Sequence, residues 1–404
     1  VGSSQHLDRQ PTVARNRRLE HRMAQAHLVT SLDKAFNVGE RPDKVRKVSD
    51  AMLKEASQHG DQSLQVFGLC KAADADVLDG FLSSALTKVR EAKALAEEQS
   101  LDEGLALVKF QFARIYAHAD ADDDSLEQAL DLTLEAAHAF DKLGRARAKA
   151  AATSMLGDIH KLMQQKDEAI RYHKEALALF KEIGDHGFCG YVRHKLAKDH
   201  MSRGRWHQAV QSAHRAIESF QVAEATQRGD CWLTLAEVHC ETSDLAQVQE
   251  SVTQACEIFA SLADVQSEAR AMNLLVQAYM RHSQAAEAIT VAKKIVTRHR
   301  EAGDRQGEAR ALLSLAELLQ PLDHEKAAKL ADTARDLMQS LPMKDAIAAC
   351  EAVKARCEHS KMTEDVEEAI WKHRDVMHLP RTLIVDPGCR ARLQGEFAEF
   401  AKAA

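Results

Sequence analysis

Aromatic residues are scarce in this chain: three Trp, four Tyr and twelve Phe make up 5% of 404 residues. A core built around large rings is thereby excluded, and Ala and Leu must supply most of the packing. Proline is scarcer still, at six, and glycine numbers seventeen. With so few helix breakers, helix is favoured throughout. No apolar run approaches the roughly 18 residues that a membrane-spanning helix needs, which predicts a soluble chain with no membrane insertion. Positive charge is not in excess either. The net charge is -7 and the pI about 6.3, so no chain-wide basic field suits nucleic acid or an anionic lipid surface. No GxxxxGK[ST] or GxGxxG phosphate loop occurs, and no Ser or Cys stands in a recognisable nucleophile motif. Catalysis therefore has no support in the sequence, and no cofactor is implied. The eight cysteines, Cys70, Cys189, Cys231, Cys240, Cys256, Cys350, Cys357 and Cys389, include no CxxC pair. Scattered thiols of this kind predict small buried apolar residues rather than a disulfide framework, in the cytoplasm or another reducing compartment. The chain opens on Val rather than Met, which is read as the mark of a fragment or a processed form, with a lost targeting segment left open.

What the sequence has in abundance is repetition. The stretch ALALFKEIGD, Ala176 to Asp185, has near-copies in AAHAFDKLGR (Ala136 to Arg145), AIESFQVAEA (Ala216 to Ala225) and ACEIFASLAD (Ala255 to Asp264). The pentapeptides LGDIH, LAKDH, LAEVH, LVQAY and LAELL, which begin at Leu156, Leu196, Leu235, Leu275 and Leu315, keep a period of 39 or 40 residues. Thirteen residues after each leading Leu comes Ala169, Ala209, Val248, Ala288 or Ala328, and seven further on Ala176, Ala216, Ala255, Ile295 or Arg335. The same ruler fits FARIY (Phe112 to Tyr116) once four residues are inserted in the acidic loop HADADDD, and it reaches back to Ala85 and Ala92. Apolar residues recur within each unit at spacings of three and four, so each unit is expected to be two amphipathic helices of roughly 15 to 17 residues. Gly204, Gly184-Asp185 and Gly303-Asp304 mark the turns, since Gly suits a left-handed cap and Asp an N-cap. The recurrent Ala lets two helix backbones approach closely. One such pair cannot bury its apolar stripe alone, whereas stacked neighbours can.

Trp232, Leu235, Ala236 and His239 on the first helix and Ala255 on the second resemble the signature positions of the tetratricopeptide repeat. The 40-residue period and the junction GDRQGEARA, Gly303 to Ala311, look most like the longer repeats of the LGN/Pins G-protein modulators, rapsyn and kinesin light chains. The resemblance runs from about residue 61 to 341. It implies an all-α fold, a right-handed superhelical solenoid of antiparallel helix pairs. About eight pairs are expected, the first at residues 61 to 98 and the last near 344 to 378, preceded by a helix at Asp43 to Gln58. The expected organisation is a basic N-terminal segment (1–42), the repeat array (43–378) and a tail with a short capping helix (379–404). Of the Asn positions repeated in kinesin light chain and LGN-type grooves, only Asn273 is matched nearby. The charged set that clamps two carboxylates in chaperone-binding relatives is missing. Neither peptide preference is carried over.

Three constellations suggest chemistry. His160, His200 and His239 occupy equivalent repeat positions, but neighbouring helices stand about 8 to 10 Å apart and zinc ligands must come within about 2.1 Å of the ion. They are expected to pack or hydrogen-bond locally, and no metal site is assigned. Asp120, Asp122, Asp123 and Asp124 crowd one loop that lacks the Gly of a calcium-binding EF-hand, so a solvated or partner-facing acidic loop is expected. Arg15, Arg17, Arg18 and Arg22 form a basic stretch read as a solvated helix face, a contact for acidic partners, or a targeting remnant. The concave face offers the surface for function. Side chains five and two residues before each repeat Leu, and two and five after it, should line it: Arg114, Lys161, Tyr191, His194, Lys198, Glu237, Arg270, Asn273, Gln277 and Arg310. Cations outnumber anions there, which suits a protein or peptide partner bearing carboxylates. The expected function is a non-enzymatic scaffold or adaptor that holds a partner segment in this groove. The alternatives are a structural subunit of a large assembly and the regulatory repeat region of a longer protein.

Overall fold

The computed structural model describes residues 42–118, 121–223, 226–339 and 347–359. The basic segment with Arg15 to Arg22, Asp120, Cys389 and the tail from 379 lie outside the described residues. The chain divides into two compact units, Val1–Val238 and His239–Ala404. The described residues are helical, with no strand among them. The first unit carries α1 (Pro42–His59), α2 (Gln62–Leu78), α3 (Leu82–Glu98), α4 (Asp102–Tyr116), α5 (Asp123–Lys142), α6 (Ala146–Leu162), α7 (Lys166–Ile183), α8 (His186–Ser202) and α9 (Trp206–Val222). The division falls within α10 (Arg228–Glu241). The second unit continues with α11 (Leu245–Ser261), α12 (Val265–Arg281), α13 (Ala285–Glu301), α14 (Arg305–Leu319) and α15 (His324–Gln339), and residues 347–359 are again helical.

Consecutive helices within each unit pack side by side and antiparallel, joined by turns of a few residues. The even-numbered helices from α2 to α14 are the first helices of the repeat, and α3 to α15 the second. The expected lone helix before the array is α1. Seven pairs thus lie between Gln62 and Gln339, and residues 347–359 hold the start of the eighth.

The second helices show why the period is what it is. Each buries a residue every third or fourth position: Ala169, His173, Ala176 and Phe180 in α7, Ala209, Ala213, Ala216 and Phe220 in α9, Val248, Val252, Ala255 and Phe259 in α11. Small residues on this stripe let the backbones approach, and in these three helices one Phe closes the end of the seam. The register slips once. In α15 the buried set is Ala327, Ala331, Ala334 and Met338, one residue before the expected Ala328 and Arg335. Here α14 ends at Leu319, and the turn closes through Gln320 N–H to Ala316 O (2.9 Å) and Asp323 N–H to Leu319 O (2.8 Å), without the left-handed residue used elsewhere. Changing Ala216, which is wholly buried, to Leu overpacks the α8–α9 crossing and is expected to cost about 1–3 kcal/mol. A urea titration of the variant with an unshifted midpoint would contradict this register.

Most turns follow one plan. Phe180 O accepts from Asp185 N–H at 3.0 Å, and His299 O from Asp304 N–H at 3.0 Å, across Gly184 (φ 76°) and Gly303 (φ 70°). Reversing the chain this way needs positive φ, which Gly adopts without strain. Ser100, Gln164, Ser243, Ala263 and Ser283 take the same conformation at the other turns, which is why glycine alone did not mark them. Asp61, Asp122, Asp185, Asp244, Asp264 and Asp304 then cap the next helix, each accepting from the backbone N–H three residues on.

Candidate functional site

In the second unit, α12, α13 and α14 enclose an open groove of about 800 Å³. Arg270, Asn273 and Gln277 from α12 and Arg310 from α14 line it together, and all four are exposed. The four come from one helical face because α12 and α14 are equivalent first helices: Arg270 and Arg310 stand at the same repeat position, and Asn273 and Gln277 follow Arg270 by three and seven residues, the spacing of a single face. Gln266, Gln306, Ser314 and Glu317 add further polar groups, while Leu274, Val276, Ile295 and Leu318 supply an apolar floor. Amides, two guanidiniums and one exposed carboxylate over an apolar base can hold an extended chain through its main-chain groups and a carboxylate through the arginines. His299 also lines this groove, although it belongs to a second helix.

In the first unit several of the counted side chains meet partners on neighbouring helices. Arg114 pairs with the buried Asp74 of α2, and Lys161 lies 3.0 Å from Asp199 of α8. Tyr191 lies beneath Lys195, whose Nζ is 4.4 Å from the ring centroid. His194 is buried, with Nε2 2.8 Å from Thr234 Oγ1; burial and then the cations of Lys198 and Lys161 bring its pKa down to about 3, so it is a neutral packing group. Lys198 and Glu237 are partly exposed. At the position two residues after the repeat landmark the sign alternates along the unit: Asp74, Arg114, Asp158, Lys198, Glu237. Of these, Arg114 pairs with Asp74 of the preceding repeat.

At the centre of this network lies a fully buried imidazole. His173 of α7 has Nδ1 2.6 Å from Asp199 Oδ2 and Nε2 3.4 Å from Asp158 Oδ1. The carboxylate at Nδ1 fixes a proton there, and the second carboxylate near Nε2 favours a proton on that side too, so both favour the imidazolium form. Burial opposes its charge, but the two carboxylates outweigh burial and raise its pKa. Asp158 and Asp199 are likewise opposed by burial, and the cations Lys195, His173 and Lys161 hold both below the ordinary carboxylate value. Lys195 pairs directly with Asp158. Gly157 makes room: a Cβ there would stand 2.5 Å from the ring of His173. Three consecutive helices are joined by this cluster, which is closed to solvent at its core and so structural.

The equivalent histidines pack locally where described. His160 stacks on Tyr172 at 5.0 Å and contacts Gln165 Oε1 through Nδ1 at 2.6 Å, and His200 is buried. Among the described residues no group of three His, Cys, Asp or Glu side chains could hold a metal ion. Asp122 of the acidic loop caps α5 through Ser125 N–H at 2.9 Å. Every described cysteine is a free thiol, and all but the half-buried Cys256 are buried. No helix among the described residues is long and apolar enough to cross a membrane.

Helix pairs that recur every 40 residues, each burying a stripe of alanines, define an all-α helical-repeat solenoid. A family model described as tetratricopeptide repeat matches residues 150–183, spanning α6 and α7. Among solved structures, a signal-transduction ATPase with numerous domains and a tetratricopeptide-repeat sensor, from Pyrococcus horikoshii, is similar over 79% of this chain and 50% of its own, at 15% identity and a TM-score of 0.56. The chain thus spans half the length of that protein. The quorum sensor NprR from B. thuringiensis, in its apo form, is similar over 73% of this chain and 82% of its own, at 14% identity and a TM-score of 0.50. A putative kinesin light chain with nearly identical repeats, from Podosopora anserina, covers 50% of this chain and 97% of its own, at 18% identity and a TM-score of 0.41. No curated protein matches the sequence. At these identities the likeness speaks to the fold alone. Repeat period, helix pairing and the family model over α6 and α7 agree on a tetratricopeptide-like helical-repeat fold.

Proposed function

We propose that the protein is a non-catalytic adaptor that holds an extended segment of another protein in the groove between α12 and α14, with a carboxylate of that segment against Arg270 and Arg310. The observation that carries this reading is the convergence of Arg270, Asn273, Gln277 and Arg310 on one groove. Charge and amide content decide the occupant. Paired arginines match carboxylates through parallel N–H donors, and exposed amides complement the donors and acceptors of an extended main chain. Reversing charge in Arg270→Glu/Arg310→Glu is expected to weaken partner binding at least about tenfold, the effect of about 1.4 kcal/mol, while helicity stays unchanged. Titration of the native partner into both proteins checks this. Equal affinities would move the site off this groove.

A further inference from the structure

Position 299 departs from its repeat. Its equivalents are Phe140, Phe180, Phe220 and Phe259, with Ala96 in α3 and Met338 in α15, all buried in the core. In α13 the place is taken by a His that is only 6% exposed and yet lines the groove. A side chain from a second helix reaches this surface because of Gly307 in the junction GDRQGEARA. A Cβ at 307 would stand 2.2 Å from His299 Nδ1 and 2.4 Å from Asp304 Oδ2, so any other residue there displaces the ring or its partner. Asp304 fixes the orientation: Oδ2 faces Nδ1 at 3.0 Å, and Oδ1 accepts from the Gly307 N–H at 2.9 Å. An ionised carboxylate only accepts, so Nδ1 carries the proton and Nε2 is the polar atom left to the ring. In the neutral ring Nε2 is an acceptor. Phe would satisfy the core at this position, whereas the imidazole adds a polar atom to a groove-lining side chain.

We propose that His299 is a ligand-contacting residue of the groove, its Nε2 accepting a hydrogen bond from a main-chain N–H of the bound segment, with Asp304 and Gly307 as positioning residues. This rests on the reading of the groove as the site for an extended segment whose carboxylate meets Arg270 and Arg310. The three contacts ask for different chemistry. The arginines take the carboxylate, the imidazole Nε2 takes an N–H, and Asn273 and Gln277 can serve either side of the same main chain. A bound segment is therefore fixed in register by one particular amide N–H, which a face made of first helices alone would not select.

The test uses the full chain and an array of nine-residue peptides, each with one Glu at a varied position. The tightest binder is then measured with wild type, His299→Phe, His299→Gln and Arg270→Glu/Arg310→Glu, and again as a set of peptides N-methylated at single amides. His299→Phe restores the residue usual at this position and keeps the core filled. It is expected to lose about tenfold in affinity, the weight of one hydrogen bond, and one N-methyl position should show the same loss in wild type and none in His299→Phe. His299→Gln, which keeps an acceptor, should recover part of the loss, and it stands in if the Phe variant loses helicity. Wild-type affinity in both His299 variants, with binding abolished in the double arginine variant, overturns the role of His299 and leaves the groove reading standing. Absence of binding by wild type to every peptide overturns both.

Discussion

Asp199→Ala is expected to lower the unfolding free energy by about 3–5 kcal/mol, the cost of leaving a buried charge without its partner. Asp199 is 3% exposed, faces His173 at 2.6 Å and Lys161 at 3.0 Å, and belongs to a different helix from either. Its removal strands the fully buried imidazolium between α6 and α8. The effect carries a pH signature. The His173 pKa lies above its ordinary value of 6.5, so its stabilisation is complete below about pH 6.5 and is lost as pH rises through the raised value. The pKa values of Asp158 and Asp199 lie below the ordinary 3.8, so their stabilisation is complete above about pH 4 and is lost as pH falls through the depressed values. Wild-type stability should therefore peak between about pH 4 and 6.5 and decline on both sides. In Asp199→Ala the alkaline decline should flatten. Guanidinium unfolding curves recorded across that range check both, and a variant within 1 kcal/mol of wild type at pH 6 would refute the imidazolium clamp.

Phe180→Ala is the second large effect, expected at about 3–5 kcal/mol. The ring is wholly buried, stacks on Phe188 at 4.6 Å between centroids, and Phe188 in turn lies under Arg147 at 4.9 Å. Phe180→Leu should cost clearly less because most of the volume remains. Thermal melts of the two variants separate the readings: equal and small shifts would mean that the end of the seam is not closed by this ring.

Much of the fold could be read from spacing. Ala169, Ala176 and Phe180 announce the stripe of α7, and Gly184-Asp185 announces its turn, because a three-four pattern and a left-handed cap are both local. The clamp was not legible in the same way. His173 falls on the stripe between Ala169 and Ala176, which marks it as buried, but its partners Asp158 and Asp199 lie on neighbouring helices and meet it only once the repeats stack. The same limit applies to Arg114 and Lys161, whose carboxylates arrive from adjacent repeats. Counting from the repeat Leu gathers Arg270, Asn273, Gln277 and Arg310, since one face of a first helix is a matter of period. It omits His299, which comes from a second helix, and Glu317, which stands at a counted position. The sequence signal for His299 is the exchange of the stripe Phe for His, followed eight residues later by Gly307.

A photocrosslinking amino acid at position 277, beside the two arginines, tests directly whether the groove of the second unit holds the partner. A second probe at Leu322, an exposed residue that does not line the groove, serves as the control. The expected result is a crosslink from position 277 to one acidic segment of the native partner, absent from position 322 and abolished by Arg270→Glu/Arg310→Glu. Crosslinking from position 322 with none from 277, unaffected by the arginine changes, would contradict the groove as the binding site.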